Sequence, residues 1–224
     1  MERYSRQIAL AEIGVTGQRK IKETKVLVVG VGGLGSVVAQ YLVAAGVGKV
    51  GIVDGDSVSI SNLQRQILYT EQDVGKPKVE VAANRLRAMS SAVEVVAYNT
   101  FLSAENGAEI ISDYDIVVDG ADNYAVRAVA ESICAEQGKH FVHGAVEGFV
   151  GQVSVFWGDR THRYSDIFEP DERDEKGIIG ATVGVVAAAE VSECLKIICG
   201  YGEVLYNKLW RVDLRSMNCE IFEL

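Results

Sequence analysis

Residues 30–35 read Gly-Val-Gly-Gly-Leu-Gly directly after the apolar run Val26–Val29, and Asp54, Asn62, Arg65, Lys78 and Asp122 follow at widening intervals. A glycine turn at a strand end can hold phosphate, because amide N–H groups and the positive end of a helix dipole face an anion there. Gly30 permits a tight turn, Gly32 lets the backbone approach a phosphate where a Cβ would clash, and Gly35 lets the next helix pack close to the sheet. A second apolar run, Val50–Val53, ends in Asp54. That is about 20 residues past the turn, where a carboxylate meets a ribose hydroxyl in dinucleotide folds. Alone, this fingerprint also fits an ordinary nicotinamide-binding βαβ unit.

The charged residues say more about what is done to the phosphate. Asn62-Leu63-Gln64-Arg65-Gln66 lies just past Asp54-Gly55-Asp56, on the side of the sheet where open α/β folds bind ligands. Lys78 opens the next helix, where an ammonium is unfavourable unless an anion compensates it; an anionic ligand is the simplest compensation. Asp119-Gly120-Ala121-Asp122-Asn123 brings a carboxylate to the same edge. Such a group can hold Mg²⁺ beside a triphosphate. Each residue has a plainer reading: Arg65 and Lys78 could pair with surface acids, and Asp122 or its neighbour could cap the helix beginning near Asn123. Jointly, cations and carboxylates at successive strand ends favour a nucleoside triphosphate over nicotinamide.

Alternating signals from Lys25 onward predict a parallel sheet covered by helices. The strands are Lys25–Gly30, Lys49–Asp54, Val93–Tyr98 and Asp115–Asp119. The helices are Leu34–Ala45, Lys76–Met89 with Pro77 early in it, a segment capped by Ser103 and running through Ile111, and Tyr124–Gln137. Beyond Gly138 the strands His140–Ala145, Gly151–Trp157, Lys208–Asp213 and Met217–Phe222 connect more locally, so the fold class is a Rossmann-like βαβ half continuing into a mixed, partly antiparallel sheet. Residues 1–224 form a single unit, with an amino-terminal arm and short helix over 1–24, a nucleotide-binding half over 25–138 and a mixed-sheet half over 139–224. The polar stretch 158–176 reads as a mobile surface crossing.

The chain has 224 residues and a net charge of −9, which suits one substantial domain and argues against nucleic-acid or anionic-membrane binding. The amino terminus lacks an apolar export segment, so a cytoplasmic location is expected. Ile178–Cys199 approaches membrane-spanning length, but Glu190, Glu193 and Lys196 interrupt it, and a buried helix is expected instead. Four cysteines, Cys134, Cys194, Cys199 and Cys219, contain no C-x-x-C pair, so neither a paired-cysteine zinc site nor a redox dithiol is signalled.

Arg-Tyr-Ser-Arg-Gln at 3–7, the glycine turn, Asp-Gly-Asp at 54–56, Asn-Leu-Gln-Arg-Gln at 62–66, Gly-Lys-Pro-Lys at 75–78 and Asp-Gly-Ala-Asp-Asn at 119–123 together resemble the ThiF/MoeB/HesA family, bacterial relatives of the ubiquitin-activating enzymes. Gly-Gln-Val-Ser-Val-Phe at 151–156 and the helix around 184–196 extend the resemblance over nearly the whole chain. It implies adenylation of the carboxyl-terminal glycine of a ubiquitin-like sulfur-carrier protein ending in Gly-Gly, with MgATP consumed and pyrophosphate released. Carried over by position, Gly32 and Gly33 lie under the nucleotide, Asp54 binds the ribose, Asn62, Arg65 and Lys78 contact phosphates, and Asp122 binds Mg²⁺. The arginine matching Arg6 reaches the active site of the other subunit, which implies a homodimer.

Two departures stand out. Where many family members carry two C-x-x-C pairs for a structural zinc, this chain reads Thr161-His162-Arg163-Tyr164 and Asn218-Cys219-Glu220-Ile221, so zinc is expected to be absent, with His162 a surface histidine and Cys219 an edge-strand cysteine. Some relatives have a cysteine in the acidic crossing, where Arg173 and its neighbours stand here. Cys194 and Cys199 fall in the apolar helix and are poor substitutes as nucleophiles. The expectation is adenylation without a covalent enzyme thioester, with sulfur from a separate donor. The alternatives are an NAD-dependent oxidoreductase or a nucleotide-binding scaffold without activity.

Overall fold

The computed structural model describes residues 2–170 and 177–224. In chain order its strands are β1 (Lys25–Val29), β2 (Lys49–Val53), β3 (Glu94–Tyr98), β4 (Ile116–Asp119), β5 (His140–Glu147), β6 (Val150–Phe156), β7 (Lys208–Asp213) and β8 (Asn218–Glu223). Its helices are α1 (Ser5–Ile8), α2 (Gly14–Glu23), α3 (Gly33–Ala45), α4 (Lys78–Met89), α5 (Gly107–Ser112), α6 (Tyr124–Glu136), α7 (Tyr164–Ile167) and α8 (Gly180–Cys199). The strands form one sheet in the order β3-β2-β1-β4-β5-β6-β7-β8. From β3 to β5 neighbours are parallel, and from β5 to β8 antiparallel. The mixed sheet expected from the sequence is therefore present.

The apolar runs make buried parallel strands because successive side chains point to opposite faces and both faces are covered. Val26 and Val28 join a core with Val38 and Leu42 of α3, Leu86 of α4 and Val186 of α8. Leu27 and Val29 enter a second core with Ile111 of α5 and Ile133 of α6. Each such side chain stabilises the fold by about 1.5–3 kcal/mol through burial. Gly46, with φ of 87°, ends α3 in the left-handed conformation that its glycine allows.

Two expectations need correction. The helix expected from Lys76 starts at Lys78, with Pro77 at its N-cap; a proline disfavours helical geometry in the residue before it. The helix expected to be capped by Ser103 starts at Gly107, because Ser103 and Asn106 close a turn first: Ser103 Oγ accepts from Glu105 N and Asn106 Oδ1 from Ser103 N. The expected crossing lies mostly at the surface over its described part, residues 158–170. There Tyr164 is buried against Phe156 and Phe168, and Arg163 Nε donates to Glu131 Oε1 at 2.9 Å. Residues 171–176, including Arg173, lie outside the described residues.

Helix α8 buries one face in the core, through Val183, Val186 and Val191 among others, and exposes Val185 on another; among the described residues no helix is long and apolar enough to cross a membrane. Its Glu190 is fully buried, and neither carboxyl oxygen has a hydrogen-bond partner. It presses on β5 at Gly144, where a Cβ would collide with the carboxyl group. Burial, with a further contribution from Asp119, pushes the Glu190 pKa well above the ordinary carboxylate range. The group is held neutral.

Candidate functional site

Strand order reverses between β1 and β4, and this switch point is where open α/β sheets bind ligands beyond their carboxyl ends. Val29 at the end of β1 is registered beside Asp119 at the end of β4. The turns leaving the two strands touch: Gly30 has φ of 86°, and a Cβ there would stand 2.6 Å from Gly120 O. Gly35 is as tightly constrained, since a Cβ on it would overlap Gly30 O. Gly32 is the N-cap of α3, with no side chain capping it. The first amides of the helix are left for a ligand.

Asp54 follows β2 and is 8% exposed. Its Oδ2 accepts from Val31 N at 2.8 Å and its Oδ1 from Asp56 N at 2.8 Å. It therefore shapes the glycine turn, and a carboxylate's further acceptor directions remain for a ribose. The other side of the same peptide is held by Tyr69, whose hydroxyl donates to Val31 O at 2.7 Å. Burial, then the charge of Asp54, raises the Tyr69 pKa, so the phenol keeps its proton. No periodicity or motif singled out Tyr69.

Lys78 is the first residue of α4 and is buried. The charge that offsets its ammonium in the structure is the chain's own Asp56, whose Oδ2 is 3.0 Å from Nζ. This is the pairing with a surface acid that the plainer reading of Lys78 allowed. An ammonium has three donors, so Nζ can serve Asp56 and a phosphate together. Asn62 Oδ1 accepts from Ser59 N at 3.1 Å and so closes a short 3₁₀ turn, leaving the Nδ2 end for an anion. Arg65 is half-buried and donates from one guanidinium nitrogen to Ser61 O at 3.1 Å. Its stem lies beside the turn, 3.6 Å from where a Cβ on Gly33 would be. Gly180 at the start of α8 packs on this segment, since a Cβ there would be 2.8 Å from Gln64 O.

Asp122 is exposed, two residues past Gly120, and accepts from Asn123 Nδ2 at 3.3 Å. The capping duty falls to Asn123, whose Oδ1 accepts from Val126 N at 3.0 Å. The Asp122 carboxylate is thus open, and fits Mg²⁺, which takes one or two carboxylates with phosphate oxygens and water. Its turn is braced from beneath. Asp119 Oδ1 accepts from Ala121 N at 3.0 Å, Arg127 donates to Ala121 O at 2.6 Å, and Asp119 Oδ2 lies 2.9 Å from Arg127 Nε and 2.7 Å from His143 Nδ1. Burial lowers the His143 pKa against the pull of Asp119. The neutral ring donates from Nδ1 and accepts from Gln152 at Nε2.

Arg6 is not gathered with these groups. It is exposed on α1. The neighbouring Gln7 donates to Ala45 O at 3.1 Å, and Tyr4 packs against Gly46, both at the far end of α3 from the glycine turn. Thirteen residues of helix separate the two ends, about 20 Å at 1.5 Å per residue. Within the single chain Arg6 is remote from the turn.

The cysteines are away from the site's polar groups. Burial raises the pKa of Cys134, Cys194 and Cys199, and Cys219 is exposed on the edge strand β8, as expected. His162 is a surface residue. Among the described residues no three His, Cys, Asp or Glu side chains cluster to hold a metal ion.

A glycine turn at the switch point, an acid on the neighbouring strand and cations around the helix start define a nucleotide-binding α/β protein. The chain matches the ThiF family over residues 4–224 and belongs to it. It is 42% identical to the sulfur carrier protein adenylyltransferase of Thermus thermophilus, over 95% of this chain and 83% of the relative. To the probable adenylyltransferase/sulfurtransferase MoeZ of Mycobacterium tuberculosis it is 37% identical, over 96% of this chain and 58% of the relative. Against several such relatives the chain spans about half the length. In fold it is similar to E. coli MccB with ATP, with a TM-score of 0.86 and 23% identity over 99% of this chain and 70% of that one.

Proposed function

We propose that the chain is an ATP-dependent adenylyltransferase that activates the carboxyl-terminal glycine of a ubiquitin-like sulfur-carrier protein, for molybdopterin, thiamine or related sulfur-transfer biosynthesis. The observation that carries this reading is the convergence at the switch point: a glycine turn gripped by Asp54 and Tyr69, with Asn62, Arg65 and Lys78 on one side and Asp122 on the other. The adenylyltransferase relatives support the same activity and give the oxidoreductase alternative no support.

In this reading Gly32 and Gly33 underlie the nucleotide, Asp54 binds the ribose, Asn62, Arg65 and Lys78 bind phosphates, and Asp122 holds Mg²⁺. When bound, Mg²⁺ neutralises phosphate charge and favours departure of pyrophosphate. A carboxylate oxygen of the carrier attacks the α-phosphorus, and the bond from that phosphorus to the bridging oxygen of the β-phosphate breaks with its electron pair. Acyl-adenylate and pyrophosphate result. Both reactants are anionic, so the work of the chain is to offset their repulsion and fix their line of approach. The remoteness of Arg6 from its own turn supports a homodimer in which it serves the partner's site. The buried thiols favour a separate sulfur donor over a thioester on this chain. We place the reaction in the cytoplasm.

ATP–pyrophosphate exchange tests the proposal, using small proteins ending in Gly-Gly from the same genome. Exchange that requires one of them supports adenylation. Its absence with all of them leaves a nucleotide-binding scaffold as the better account.

A further inference from the structure

Gln66 has a side chain that its own fold does not use. It is 4% exposed, yet Oε1 is buried without a hydrogen-bond partner. Its backbone suffices to hold it in place: Gln66 N donates to Asn62 O at 2.9 Å, and Gln66 O accepts from Tyr69 N at 3.1 Å. An unpaired buried acceptor destabilises a fold, so packing alone favours an apolar side chain of similar length here. The other end of the amide points at the glycine turn. Nε2 stands 3.4 Å from where a Cβ on Gly32 would be, beside the uncapped start of the 13-residue helix α3.

We infer that Gln66 is a further nucleotide-contacting residue, with Nε2 donating to a phosphate oxygen held over Gly32. The assignment rests on the nucleotide site proposed for this chain. It gives the anion two kinds of neutral donor, backbone N–H groups from the helix start and a side-chain amide from the 62–66 segment, in addition to the cations. It also gives the buried amide a purpose that outweighs its unpaired oxygen.

Calorimetric titration of the whole chain with MgATP and with adenosine, on the wild type, Gln66→Met and Gln66→Glu, tests this. Gln66→Met keeps the volume and removes both amide ends. It is expected to weaken MgATP binding by about tenfold or more, on the scale of a hydrogen bond to a charged group. Adenosine affinity is expected to stay within about twofold, since the lost donor faces phosphate. The ligand-free melting temperature should be equal or higher. Gln66→Glu should weaken MgATP further, because its carboxylate faces the phosphates. Unchanged MgATP affinity in Gln66→Met, or equal losses for ATP and adenosine, overturns the assignment. If Gln66→Met does not fold, the ATP-to-adenosine comparison in Gln66→Glu decides in the same way. A wild type that binds no MgATP is a distinct result, and removes the nucleotide site and this assignment together.

Discussion

Asp54 Oδ2 accepts from Val31 N at 2.8 Å, so the carboxylate proposed to meet a ribose also fixes the turn beneath the phosphates. Its place was legible in the sequence because spacing from a glycine turn is local information. Tyr69 and Gln66 were not legible, since their roles depend on which way a loop segment turns its side chains after folding. Tyr69→Phe removes the donor to Val31 O and leaves a buried carbonyl unpaired, at a cost of about 1–3 kcal/mol. A lower melting temperature and weaker MgATP binding are the expected readouts, checked by thermal unfolding and titration. Arg65→Ala and Lys78→Ala are each expected to lower pyrophosphate exchange by about 10²-fold, the scale of removing a preorganised charge donor. Circular dichroism should show the fold kept, because Asp56, the partner of Lys78, has a half-exposed side chain and can be solvated. Wild-type exchange in either variant would refute its role.

At the scale of elements, the parallel half of the sheet was readable because each buried strand is a continuous apolar run bounded by glycine or a charge. What local patterns do not encode is which strands become neighbours. Asp119 and His143 are 24 residues apart, and only the adjacency of β4 and β5 makes them a pair under the Asp122 turn. For a related reason the composition of the polar stretch after Trp157 does not single out Tyr164, which reaches the core. Gly30→Ala tests the contact between turns, since its φ of 86° and a Cβ 2.6 Å from Gly120 O are both unfavourable. Thermal unfolding should show destabilisation by a few kcal/mol, about 1–3 from the left-handed backbone alone.

The α8–β5 contact makes a prediction about pH. Glu190 is neutral in the fold, but in the unfolded chain it ionises near 4.5. Above that pH the unfolded chain releases a proton that the folded chain keeps, so Glu190 lowers stability as pH rises toward its folded value, by up to about 1.4 kcal/mol per pH unit. Glu190→Gln keeps the shape without the charge. Its melting temperature should exceed that of the wild type by more at pH 8 than at pH 5, with about 2–4 °C for each kcal/mol in a chain of this size. A gain independent of pH would contradict the buried neutral carboxyl.

At the scale of the molecule, the distance between Arg6 and the glycine turn means that the role proposed for Arg6 requires a second copy of the chain. In a two-fold dimer, a heterodimer of Arg6→Ala and Asp122→Ala chains has one site with both defects and one with neither. Random mixing of the two inactive proteins should therefore restore roughly a quarter of wild-type exchange. No recovery in verified heterodimers would count against action in trans. The family motifs were legible across nearly the whole chain and already implied action of Arg6 in trans; what the structure adds is that α1 lies at the end of α3 away from the turn.

The most direct measurement is the intact mass of the carrier after incubation with enzyme, MgATP and pyrophosphatase. Convergence of cations on a bound triphosphate predicts one AMP added at the terminal glycine with wild-type enzyme, and little or none with Arg65→Ala or Lys78→Ala. A carrier that stays unmodified with wild-type enzyme, or is adenylated as readily by both variants, would contradict it.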